Sequence, residues 1–259
     1  MEAVTHHGRT TAYRVAARDG AGGAPVLCVH GSGGTSGLWA GQRPLSAERP
    51  VIAVDLSGHG ESEDVAADPG YETLSAHVDD VVAVARATDA RVLVGNSLGG
   101  AVALTLALER THAFEGLVLT GTGARLSVLD DLLVWLDGEF ERAVEFLHEP
   151  DRLFHDADER VLERSRAAMR ETGPAVTRRD FRTCHTFDVR GRLDAVDVPA
   201  VAVVGEHDRL TPRRHHEYLA RELPTCELAV VEDAAHLAML ESPTAFNAVL
   251  SEFCARFAD

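Results

Sequence analysis

The feature that most constrains this chain is a repeated alternation of short, largely apolar runs with longer stretches of helical periodicity. Residues 25–30, 50–56, 91–95, 117–120, 199–205 and 227–231 are too short for helices and too continuously apolar for strands with one wet face. Helical patterns cover 74–86, 98–110, 212–223 and 243–257. Strands of this kind, separated by helices, are expected to lie in a mostly parallel sheet with helices on both faces, an α/β architecture. The alternation breaks once. From about 125 to 190 strand signals vanish and charged amphipathic patterns follow, at 128–136, 139–147, 159–170 and 175–184. The expected organisation is one core, residues 1–124 and 191–259, with a helical cap at 125–190 inserted into it as a lid.

Charge narrows the partners. Forty-one acidic residues face 25 basic ones, a net charge of −16, and every basic residue is arginine. Such a chain is a poor binder of nucleic acid or of an anionic membrane surface. The composition resembles that of proteins from a high-salt cytoplasm, although a GC-rich genome alone also depletes lysine. No apolar run of about 18 residues predicts a transmembrane helix. Residues 1–8 lack the apolar stretch of a secretory signal, so a cytoplasmic location is expected. Cys28, Cys184, Cys226 and Cys254 lie far apart with no CxxC pair, which predicts buried free thiols, no zinc site and no disulfide framework.

The strongest chemical signal is Gly95-Asn96-Ser97-Leu98-Gly99-Gly100, set between an expected strand and an expected helix. A serine in such a G-x-S-x-G turn is held in a strained conformation, with its hydroxyl exposed at the C-terminal end of the sheet. Serine is a weak nucleophile, so it needs a base and an acid that orients the base. In the chain order serine, acid, histidine, Asp208 follows the 199–205 strand and His236 follows the 227–231 strand. Both are strand ends at the edge where open α/β sheets bind ligands. Glu206 is the rival acid, and the Gly121-Thr122-Gly123 segment offers none. The loop His30-Gly31-Ser32-Gly33-Gly34 can turn backbone N–H groups toward a developing negative charge. The expected oxyanion donors are the N–H of Ser32 and of Leu98, with His30 as a loop anchor. This glycine-rich run lacks the lysine of a phosphate loop.

Taken in order, His30-Gly31, Asp55-Leu56-Ser57-Gly58-His59-Gly60-Glu61-Ser62, the Ser97 turn, Gly205-Glu206-His207-Asp208 and Ala235-His236 resemble the α/β-hydrolase fold superfamily over nearly the whole chain. The resemblance is to serine esterase-like members with a helical cap. It implies Ser97 as nucleophile, Asp208 as acid, His236 as base, and His59 and Ser62 as scaffold of a turn. It implies hydrolysis of a small carboxylic ester, a thioester or lactone being variants of the same chemistry, without metal or organic cofactor. The serine sets the chain apart from relatives that use an aspartate nucleophile. Two enzyme alternatives stay open: a meta-cleavage type C–C bond hydrolase, disfavoured because residues 30–34 lack that group's proline, and a cofactor-free haloperoxidase. A small-molecule binding protein on the same fold is the non-enzymatic alternative. Gly31, Gly33, Trp39, Leu126, Leu133, Trp135 and Leu237 are the candidate pocket residues. The expected partner is a small-molecule substrate, and the expected state a monomer or homodimer.

Overall fold

The computed structural model describes residues 1–109 and 112–257. The strands are β1 (Glu2–His6), β2 (Arg9–Ala16), β3 (Val26–Val29), β4 (Val51–Val54), β5 (Val92–Asn96), β6 (Gly116–Thr120), β7 (Ala200–Gly205) and β8 (Cys226–Val231). They form one eight-stranded sheet in the order β1-β2-β4-β3-β5-β6-β7-β8. β1–β2 and β2–β4 pair antiparallel and the other pairs are parallel. The hairpin β1–β2 escapes the sequence reading because its turn, His7-Gly8, lacks an Asn-Gly or Asp-Gly signal, yet both residues adopt positive φ (45° and 78°).

The parallel strands β3 to β7 bury both faces, and alternate residues divide between two cores. Leu27, Ile52, Val54 and Leu93 face helices α1 (Tyr71–Thr88) and α2 (Leu98–Glu109). Val26, Cys28, Ala53 and Val94 face the 3-10 segment Ser36–Ala47 and the helix after β8, with Trp39 and Phe246 in that layer. Helix α2 is apolar all round and buried from Leu98 to Ala107, as a helix between a sheet and other helices must be. The expected end of that helix, Arg110, lies outside the described residues, as does Asp259, the expected end of the core.

Between β6 and β7 run α3 (Asp130–Gly138), α4 (Phe140–Leu147) and α5 (Glu159–Thr186). The ends of this stretch are pinned together: Arg125 and Asp188 form an isolated antiparallel bridge, and the Val189 N–H donates to the Ala124 carbonyl at 2.8 Å. The two helices expected at 159–170 and 175–184 form one run broken by a kink. Gly173 has φ 82° and is followed by Pro174, which lacks an N–H and keeps its predecessor out of the helical region. After β7 come α6 (Arg213–Glu222), the short α7 (Ala238–Glu241) and α8 (Pro243–Cys254). Among the described residues no helix is long and apolar enough to cross a membrane. The four cysteines are free; Cys28, Cys184 and Cys254 are buried and Cys226 is half-buried.

Candidate active site

Three connections at the C-terminal ends of the parallel strands build the site. The first joins β5 to α2. Ser97 sits there at φ 54°, in the left-handed region that side chains other than glycine rarely adopt. Its neighbours permit this because they are small. A Cβ on Gly95 would strike the Gly99 carbonyl, and one on Gly99 the Val29 carbonyl. The strained turn is over-determined by hydrogen bonds. The Ser97 N–H donates to the Thr120 carbonyl at 3.0 Å. The Ser97 carbonyl accepts from Gly100 N at 2.9 Å and from the Thr122 hydroxyl at 2.9 Å.

The second connection follows β7 and carries Asp208, which is 4% exposed. Its Oδ1 accepts from the N–H groups of Leu210 (2.8 Å) and Thr211 (2.9 Å). Its Oδ2 accepts from the Thr211 hydroxyl at 2.7 Å and from His236 Nδ1 at 2.9 Å. Burial works to raise the Asp208 pKa, but the imidazole of His236 and these hydrogen bonds outweigh it and hold the carboxyl at about 2. An ionised carboxylate only accepts, so His236 Nδ1 donates its proton to Asp208. Glu206, the rival acid, is exposed, with His207 Nε2 3.9 Å from its carboxylate.

The third connection follows β8 and carries His236, buried at 4%. The His236 N–H donates to the Arg152 carbonyl at 3.2 Å, and Leu237 N to the Leu153 carbonyl at 2.9 Å. The segment between β6 and β7 thus holds the backbone of the histidine loop. Gly121, in the segment that offered no acid, has φ 54°, and a Cβ there would lie 3.1 Å from His236 Nδ1.

The loop after β3 closes over the serine. A Cβ on Gly31 would lie 3.0 Å from Ser97 Cβ and 3.0 Å from Asn96 Oδ1. His30 is fully buried. Its Nε2 accepts from the Leu56 N–H at 3.1 Å, so Nδ1 donates to the Gly31 carbonyl at 2.8 Å and fixes the loop. Burial and the nearby His59 push its pKa down to about 3, which keeps the ring neutral. Ser32 lines the cavity described next, its hydroxyl 3.7 Å from Cys184 Sγ, and Leu98 begins α2.

Ser97 and His236 open into one cavity of about 690 Å³. Of the expected pocket residues, Gly31, Gly33, Leu126 and Leu237 line it. Trp39, Leu133 and Trp135 do not line it and are corrected. Trp39 is 2% exposed in the core, its ring 6.3 Å from Phe246. Trp135 packs edge-on against Phe146 at 5.0 Å beneath the Arg142 guanidinium. Leu133 is half-buried, one position round α3 from Leu132, which does line the cavity. The sequence reading also missed Thr211 and Met169. A threonine three residues after the acid, where a hydroxyl can bond back to a carboxylate, was the signal for the first. Met169, in α5, carried none.

The described residues also bring Asp151, His155 and His207 together, with ligand atoms within 4.8 Å of one another. This cluster is internally paired: His155 Nδ1 meets Asp151 Oδ1 at 2.6 Å and Arg209 meets Asp151 Oδ2 at 2.7 Å. None of the three lines the cavity.

Comparison with known proteins identifies the family. A family model described as "Alpha/beta hydrolase family" matches residues 26–249. A pimeloyl-[acyl-carrier protein] methyl ester esterase of Neisseria meningitidis serogroup C is 33% identical over 253 residues, covering 88% of this chain and 92% of that protein. A putative carbamate hydrolase RutD of Variovorax paradoxus is 31% identical over 250 residues, covering 91% of this chain and 93% of that protein. A solved thermophilic esterase is 30% identical with a TM-score of 0.84, covering 99% of this chain and 97% of that one.

Proposed function

The chain belongs to the alpha/beta hydrolase family, and we propose that within it this protein is a serine hydrolase cleaving a small carboxylic ester. The carrying observation is the buried Asp208–His236 pair at 2.9 Å, opening into the cavity that also holds the strained Ser97.

In this reading Ser97 Oγ attacks the ester carbonyl and its proton passes to His236 Nε2. Asp208 accepts from Nδ1 and stabilises the imidazolium that forms. The carbonyl oxygen becomes an oxyanion held by the N–H groups of Ser32 and Leu98. The tetrahedral species collapses, the C–O bond to the alcohol breaks, and the alcohol leaves with the proton from His236. Water then attacks the acyl-enzyme, giving its proton to His236, and the acid departs as Ser97 recovers its hydrogen. Residues 125–190 act as a cap that roofs the cavity and selects the ester. The similarity to esterases supports the reaction class, and the linkage of the Arg152 and Leu153 carbonyls to the histidine loop supports the cap.

Turnover of p-nitrophenyl butyrate tests the reading. Wild-type protein should release nitrophenol catalytically, and Ser97→Ala should fall by about 10⁴-fold or more. Equal rates in the two would contradict it.

A further inference from the structure

The cavity shared by Ser97 and His236 has a charge inventory at odds with the rest of the molecule. The chain carries 41 acidic residues, yet no described residue lining the cavity is aspartate or glutamate, and three are arginines: Arg164, Arg209 and Arg214. Much of the remaining wall is apolar, with Leu132, Val161, Met169 and Phe181 contributed by α3 and α5. Arg209 is engaged by Asp151 at 2.7 Å. Arg164 and Arg214 are exposed and make no ion pair among the described residues.

Arg214 is also misplaced by local rules. It stands in the first turn of α6, where the helix dipole disfavours a cation, and that turn holds no acid. Its neighbour Arg213 is compensated by Glu217 at 2.9 Å, whereas Arg214 faces the cavity instead. A residue that breaks a local preference without a structural return is a candidate functional position. The net charge of −16 adds a further reason. An anion approaching this protein meets a repulsive field, which unpaired cations at the cavity offset locally.

We propose that the cavity recognises esters whose apolar chain ends in an oxyanion, a carboxylate or a phosphate, and that Arg214 and Arg164 are the specificity-determining residues. The inference rests on the serine hydrolase reading for the bond that is cleaved, but the anion preference is a property of the cavity wall. Guanidinium groups match both anions through paired N–H donors, so both are tested.

The experiment compares mono-p-nitrophenyl adipate with p-nitrophenyl hexanoate, which share acyl carbon number and differ by one terminal carboxylate. The expected kcat/KM ratio is about tenfold in favour of the half-ester in dilute buffer, falling in molar salt as the Debye length shrinks to about 3 Å. Arg214→Gln and Arg164→Gln should each lower that ratio, through KM, by about threefold to fivefold, the scale of one partly exposed charge contact. Arg18→Gln, outside the cavity, should leave the ratio unchanged. A ratio of one or below, or a ratio indifferent to both cavity substitutions, overturns the inference. A second arm needs no turnover: Ser97→Ala protein is titrated calorimetrically with adipate, butyl phosphate and neutral hexanamide. Tighter binding of either anion than of hexanamide supports the inference and tells which oxyanion is preferred; equal or weaker binding of both overturns it. Failure of wild-type protein to cleave either ester would instead refute ester hydrolysis, with the binding arm still deciding the anion preference.

Discussion

The Asn96 carboxamide donates to the His236 carbonyl at 3.3 Å, tying the turn that carries Ser97 to the loop that carries the imidazole. The same NH₂ group donates to the Thr120 carbonyl at 3.3 Å. One side chain therefore joins the ends of β5 and β6 to the loop after β8. Asn96→Ala should fold and melt near wild type but turn over esters about 10–100-fold more slowly, since misplacing a base by about 1 Å costs on that scale. The check is kcat alongside the melting temperature. A wild-type kcat would show that this link positions nothing.

The acid is tested by two substitutions two residues apart. Asp208→Asn removes the charge that orients and stabilises the imidazole and should lower kcat by about 10⁴-fold while the fold survives. Glu206 is exposed, so Glu206→Gln should stay close to wild type. The reverse pattern would move the acid to Glu206.

Much of this was legible in the sequence, for definite physical reasons. Parallel strands buried on both faces must be continuously apolar, so β3 to β7 stand out. The turn at Ser97 needs small neighbours, so Gly95 and Gly99 mark it. Asp208 and His236 stand out in the sequence because they follow strands, not because acids or histidines are scarce. The hairpin β1–β2 was hidden, since β1 is exposed or half-exposed along its length and shows no apolar run. The cavity wall was the least legible part. A helix presents a few positions to the cavity and the rest to packing or solvent, so the choice of Leu132 over Leu133 and Trp135 depends on how α3 is rotated against the core.

A buried ionic cluster that joins α5 to α1 and to the loop after β4 is expected to set the pH response of stability. Asp180 of α5 lies 2.9 Å from His59 Nε2 and 3.4 Å from His77 Nε2, with all three side chains inaccessible to solvent. Burial works against charge on His77, but hydrogen bonds and attraction from Asp180 and Asp80 prevail and push its pKa up to about 9. A raised folded-state pKa contributes stability that is full below the unfolded value of about 6.5 and is lost as pH rises through about 9. His30 and His216 act in the opposite sense and in another window. Burial lowers them to about 3 and about 4, so their contribution grows as pH rises toward about 6.5. The melting temperature should therefore peak near pH 6.5 and decline toward pH 9, with a shallower decline in His77→Gln. A parallel decline in that variant would remove His77 as the cause.

The most direct measurement is covalent labelling with a fluorophosphonate followed by mass spectrometry of the modified peptide. Three features are held to converge on one oxygen: the turn that exposes Ser97, the base His236, and the N–H groups of Ser32 and Leu98. Ser97 should carry the adduct and no other serine should. The label should be absent from Ser97→Ala and form much more slowly in His236→Ala. An adduct on another residue, or no adduct on folded wild-type protein, would contradict the assignment of Ser97 as nucleophile.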